Sequence, residues 1–96
     1  MVKIIWSTKA VSDKKSILDY WKLRNKSPLY SIKLNLLFEQ KLRQICDNPL
    51  SGITTEMENI RAVLIEDYYI YYSLKADQIR ILRIWDARQN PKKFEP

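Results

Sequence analysis

Four arginines, Arg61, Arg80, Arg83 and Arg88, punctuate the C-terminal half of a 96-residue chain, with tyrosines 68, 69, 71 and 72 among them. A guanidinium presents paired N–H groups to a phosphate or a carboxylate, so arginines that converge in space make an anion-binding groove. Tyrosine adds a flat face for a base to stack on and a phenol that can hydrogen-bond. After Arg88 come Lys92, Lys93 and Phe94, two further cations and an aromatic. From Ile79 onward five Lys and Arg stand against two acids, Asp86 and Glu95, and the whole chain carries a formal net charge of +6. That imbalance favours an anionic partner: RNA, DNA or an acidic protein segment. The plainer reading is charge for solubility, each arginine paired with a local acid; Glu56, Glu58, Glu66 and Asp86 are available for that.

Composition narrows the chemistry. The chain has no histidine, so any general acid or base would be Lys, Arg, Tyr, Asp or Glu. Unperturbed Lys and Arg stay protonated near neutral pH and stabilise a phosphorane more readily than they abstract a proton. Composition therefore points to binding rather than acid–base catalysis. Cys46 is the single cysteine, which excludes an intramolecular disulfide and fits a reducing compartment. It falls on an apolar helical pattern as core filler, with no histidine to activate it. One cysteine and scattered acids make no zinc site, and the single glycine, Gly52, offers no phosphate-cradling loop. No cofactor or metal is expected. No apolar run approaches the roughly 18–20 residues of a membrane span, and the apolar run in MVKIIWSTKA is too short for a signal peptide. A cytoplasmic protein without a membrane partner is the expectation.

The elements that must position these groups follow from periodicity. Val2 to Ser7 is short and rich in β-branched and aromatic residues, and reads as a strand. Ser7 or Thr8 can cap a following helix, whose stripe is Ala10, Ile17 and Trp21 with Val11 and Leu18, to about Arg24. Ser27-Pro28 supplies a cap followed by proline in the first helical position. Tyr30, Leu34, Leu37, Phe38, Leu42 and Ile45 form the second stripe, ending near Asp47 because Asn48-Pro49 cannot continue it. The linker of about three residues makes an antiparallel helical hairpin.

After a loop over 48–59, with a short extended piece near Ile53, the period changes to two. Ile60 to Ile65, Tyr68 to Leu74 and Ile79 to Trp85 are strand-like runs joined by hairpin-length connections. Alternation gives Tyr68 and Tyr72 to the core and Tyr69 and Tyr71 to the other face. The last run, apolar on both faces, suits an interior strand. The order is β-αα-βββ in one domain, residues 1–96: an α+β fold of two layers, with the hairpin on one face of a mainly antiparallel sheet. The other face is left without helices, and Arg61 and Arg83 are placed where they could share a side.

This order, the loop NPLSG (48–52), the run R-x-V-L-x-x-x-Y-Y-I-Y-Y (61–72) and the ending ILRIWDARQNPKKF (81–94) together resemble the RelE/ParE superfamily of bacterial toxins. The ending is similar to a subgroup with a W-D-x-R-Q-N-P-x-K signature. The resemblance spans essentially the whole chain. It implies the toxin of a type II toxin–antitoxin pair, held by a cognate acidic antitoxin. RelE-like members cleave mRNA in the ribosomal A site, and the first expectation is that activity, with Arg61 and Arg88 as catalytic residues. Tyr69, Arg83, Lys92, Lys93 and Phe94 would then contact RNA or another target. The alternative is a non-catalytic, ParE-like toxin that inhibits DNA gyrase or another protein. Three departures favour it: Tyr69 stands where RelE-like ribonucleases carry an arginine, Phe94 where they carry a tyrosine, and Ala62 or Val63 where they carry the second cation of the early strand.

Overall fold

The computed structural model describes residues 2–88. Seven elements follow in order: β1 Lys3–Trp6, α1 Thr8–Asn25, α2 Leu29–Asp47, β2 Ile53–Thr54, β3 Ile60–Ile65, β4 Tyr68–Lys75 and β5 Gln78–Asp86. The strands form one sheet in the order β1-β5-β4-β3-β2. The meander from β2 to β5 is antiparallel, while β1 pairs in parallel with β5, Lys3 opposite Gln78 and Trp6 opposite Ile81. Both ends of the described chain thus meet in neighbouring strands, with β5 in the interior as its two-sided apolar pattern requires.

Ser7 caps α1: its Oγ accepts from the Ala10 N–H at 3.0 Å and donates to the Leu82 carbonyl at 2.9 Å. One hydroxyl therefore starts the helix and ties it to β5. Helix α2 begins one residue later than expected. Pro28 is the boundary residue, and Ser27 Oγ accepts from the Leu29 N–H at 3.3 Å. The turn between the helices places Lys26 in the left-handed region, φ 52°, and its N–H returns to Leu23 O.

The core lies between the helical hairpin and one sheet face. Leu34, Phe38, Leu42 and Ile45 of α2 pack with Ile65, Tyr68, Ile70, Tyr72, Ile79, Ile81 and Ile84, and α1 adds Ala10. Each such aliphatic or aromatic side chain stabilises the fold by about 1.5–3 kcal/mol through burial. Helix α1 is shallower than its stripe suggests, with Ile17, Leu18 and Trp21 only partly buried. Two further polar contacts hold it against α2 and β4. Ser31 Oγ donates to Leu18 O at 2.6 Å, and Trp21 Nε1–H donates to the Tyr68 hydroxyl at 2.8 Å. Cys46 packs against the core. Among the described residues no helix is long and apolar enough to cross a membrane.

Candidate target-binding surface

The helix-free face of the sheet is shaped by a bulge. Tyr71 stands opposite Arg83 and Tyr72 opposite Ile81, so Leu82 is an extra residue in β5. Because of it, Arg80, opposite Ser73, and Arg83 project to the same face although they are three positions apart. That face, away from the helices, also carries Tyr69 opposite Trp85, Leu64 opposite Tyr69, and Ile5 opposite Arg80. The Tyr69 and Tyr71 rings lie 6.0 Å apart, and the Arg83 guanidinium is 5.2 Å from the Trp85 ring centre. By register, Lys3, Lys75, Arg80 and Arg83 are its cations, and among the described strand residues no carboxylate shares it. An aromatic, cationic sheet face of this kind can receive a flat ring, a phosphate or an acidic side chain.

Arg83 is held at the edge of this face. Its Nε donates to Asp13 Oδ2 at 2.7 Å and its Nη2 to Oδ1 at 3.0 Å. Asp13 Oδ2 also accepts the Ile84 N–H at 3.0 Å. The α1 carboxylate thus serves an edge N–H of β5 where β1 has ended, and orients the arginine at the same time.

Beside it, a cleft of about 380 Å³ opens between α1 and the end of β5, lined in part by Tyr20, Tyr68, Trp85, Asp86 and Arg88. Arg88 lies on this cleft, but its fork already has an acceptor. Its Nε and Nη2 donate to the two oxygens of Asp86 at 3.0 and 2.8 Å, and its backbone N–H reaches Asp86 Oδ1 at 2.9 Å. The Arg88 hydrogen bond holds the Asp86 carboxyl below its ordinary value, and the guanidinium proton is held more tightly in return. Tyr68, at the floor, has its phenol pushed up by burial.

Arg61 has a different task. Its Nη1 donates to Leu50 O at 3.2 Å and to Gly52 O at 2.9 Å, pinning the loop before β2. Arg61 is in register with Tyr72 and Arg83 with Tyr71, so the two arginines stand on opposite faces of the sheet. The expectation that they could share a side is therefore corrected. Neighbouring β4 positions point opposite ways, and register decides which one an arginine follows.

Tyr69 and Tyr71 are half-buried on the helix-free face and Tyr68 and Tyr72 are buried, as alternation required. Lys92, Lys93 and Phe94 lie outside the described residues. Sequence reasoning passed over Asp13 and Trp85 as site groups and weighed Asp86 only as a local ion-pair partner. The D-x-R spacing of Asp86 and Arg88 was the available signal for that pair; nothing local announces Asp13, seventy residues from Arg83.

Comparison with solved structures places the fold. A chromosomal ParDE toxin–antitoxin system from P. aeruginosa is similar at 22% identity, covering 92% of this chain and 98% of that one, with a TM-score of 0.79. The E. coli DinJ–YafQ complex is similar at 13% identity over 90% of this chain and 93% of that one, TM-score 0.57. E. coli YafQ from strain BL21(DE3) gives a TM-score of 0.56 at the same identity and coverage. At these identities the likeness is one of fold. No curated protein sequence matches the chain. The family description that fits the sequence itself is the ParE toxin of the type II toxin–antitoxin system, parDE, over residues 4–91, from the first strand to beyond Arg88. The resemblance read from NPLSG, the tyrosine strand and the W-D-x-R ending thus resolves to its ParE side: the chain belongs to the ParE toxin family of type II toxin–antitoxin systems.

Proposed function

We propose that this chain arrests growth by binding DNA gyrase as a non-catalytic toxin, and that a cognate acidic antitoxin neutralises it. The observation that carries this reading is the disposition of the two arginines a ribonuclease would need. Arg61 holds loop carbonyls on one side of the sheet, and Arg88 is bidentate to Asp86 at the far end of β5. They do not converge on one phosphate, and no histidine exists to move a proton. The family match to ParE toxins supports the same reading. Structures of a ParDE system and of a DinJ–YafQ complex share the fold, which supports an antitoxin as partner. The net charge of +6 suits an acidic one.

Cleavage of mRNA on the ribosome is the second reading. It is favoured by the helix-free face, where Tyr69, Trp85, Arg80 and Arg83 offer stacking and phosphate contacts. One pair of measurements separates the two. Purified toxin added to gyrase should inhibit supercoiling, while primer extension on translated mRNA after induction should show no new ribosome-positioned 5′ ends. New ends with unaffected gyrase would reverse the assignment.

A further inference from the structure

On the helix-free face of the sheet, rings and cations are sorted to opposite ends of the strands. At one end Tyr69 stands opposite Trp85, and Tyr71 opposite Arg83. The two tyrosine rings lie 6.0 Å apart, and the Arg83 guanidinium lies 5.2 Å from the Trp85 ring centre. Tyr69, Tyr71 and Trp85 are each half-buried, so part of every ring reaches the surface. Asp13 fixes the Arg83 guanidinium beside the indole.

At the other end Lys75 and Lys3 flank Gln78 on neighbouring strands, with Arg80 next along β5. All three cations are exposed. The ion pairs among the described residues are Lys15–Asp19, Arg83–Asp13 and Arg88–Asp86, so none of them engages these three. Asp77, in the turn between β4 and β5, is the acid beside them. Successive residues on one face of a strand are about 6.7 Å apart, so the rings and the cations together span about 20 Å.

An acidic peptide would satisfy the cations but has no flat groups for the rings. A nucleic acid strand satisfies both, with phosphates for the cations and bases for the aromatic faces. Stacking on side chains needs bases free of a duplex, so the strand is single, and a sheet face of this size stacks about two or three bases. We infer that this face binds single-stranded DNA, with bases on Tyr69, Tyr71 and Trp85 and phosphates on Arg80, Lys75 and Lys3. This rests on the gyrase reading above and deepens it: the toxin holds strand from the gyrase-bound DNA in addition to the enzyme. That reading also selects DNA over RNA.

Fluorescence anisotropy of the full chain with labelled oligo(dT) of about 12 nucleotides measures the affinity. Arg80→Gln with Lys75→Gln should raise Kd by about tenfold and lower the slope of log Kd against log salt by about 1.4, or about 0.7 per phosphate. Tyr69→Leu keeps apolar bulk and should raise Kd by about fivefold or more with the slope unchanged, while Tyr69→Phe should stay within about twofold. Lys22→Gln with Arg24→Gln removes the same charge from the helical hairpin and should leave Kd within about twofold. Circular dichroism checks each fold; should Tyr69→Leu unfold, the exposed Arg80 and Lys75 decide. Equal weakening by the hairpin pair and the sheet pair would overturn the site in favour of charge alone. Affinity unchanged in the sheet variants, or no binding at about 0.05 M salt, would overturn it as well. So would oligo(rU) bound about tenfold or more tighter than oligo(dT), which would give the face to mRNA. Supercoiling by gyrase is assayed with the same wild-type protein. Gyrase inhibited without DNA binding removes this site and keeps the gyrase reading. DNA bound at this face with gyrase unaffected keeps the site and removes that reading.

Discussion

Gly52 is the residue whose replacement the structure forbids most plainly. A Cβ there would overlap the Tyr72 hydroxyl and lie 2.8 Å from Cε1 and 2.9 Å from Cζ. Tyr72 has no room to yield, because it is fully buried at the middle of β4. Its hydroxyl accepts from Gly52 N–H at 3.0 Å and donates to Pro49 O at 2.8 Å, so the NPLSG loop is latched from beneath. Arg61 latches the same loop through Leu50 O and Gly52 O. Gly52→Ala should lose about 1–3 kcal/mol to overpacking. Tyr72→Phe should lose a similar ~1–3 kcal/mol by leaving the buried Gly52 N–H without an acceptor. The two substitutions act on one contact, so the double variant should cost less than their sum. Urea unfolding of the three variants measures this, and full additivity would refute a shared latch. Sequence alone showed an N-P-x-x-G turn and a tyrosine strand, but not that one serves the other, since twenty residues separate the partners.

At the scale of elements, the seam between α1 and β5, tied at one end by Ser7, is held further along by the Asp13 carboxylate. Asp13 receives the Ile84 N–H and the Arg83 fork where β1 no longer covers β5. Both side chains keep modest exposure, 18% and 17%, so the full ~3–5 kcal/mol of a broken buried pair does not apply. Asp13→Ala should cost about 2 kcal/mol, and Asp13→Asn less, because an amide oxygen still accepts from Ile84. Equal losses for the two variants in urea would show that the backbone contact contributes nothing. The helices themselves were legible: caps, proline positions and apolar stripes fixed both to within a residue or so, and period-two runs gave the three meander strands. What could not be read was non-local. Pairing of β1 with β5 in parallel leaves no periodic trace, and the Leu82 bulge that aligns Arg80 with Arg83 depends on register, where a slip of one residue reverses every side chain. The site was legible as a set of cations and aromatics and illegible as a geometry. The expectation that Arg61 and Arg83 could share a side fails for the same reason.

For the whole molecule the distribution of charge matters more than its total. Two groups of cations lie on opposite sides. One comprises Lys22, Arg24, Lys26 and Lys33 around the helical hairpin, and the other Lys3, Lys75, Arg80 and Arg83 on the open sheet face. Acids that interrupt the second group are drawn to its margin, Asp13 and Asp86 each occupied with an arginine. An acidic partner would therefore meet cations on either side of the molecule. Steering of this kind acts on the association rate, whereas apolar burial sets how long the complex lasts. Raising salt from about 0.05 M to about 0.5 M shortens the screening length to a few ångströms. The association rate should then fall by about tenfold or more, with the dissociation rate changing by about twofold at most. Stopped-flow mixing of toxin and antitoxin across that range reads both rates. A dissociation rate that carried most of the salt effect would mean that ion pairs, and not apolar burial, hold the two chains together.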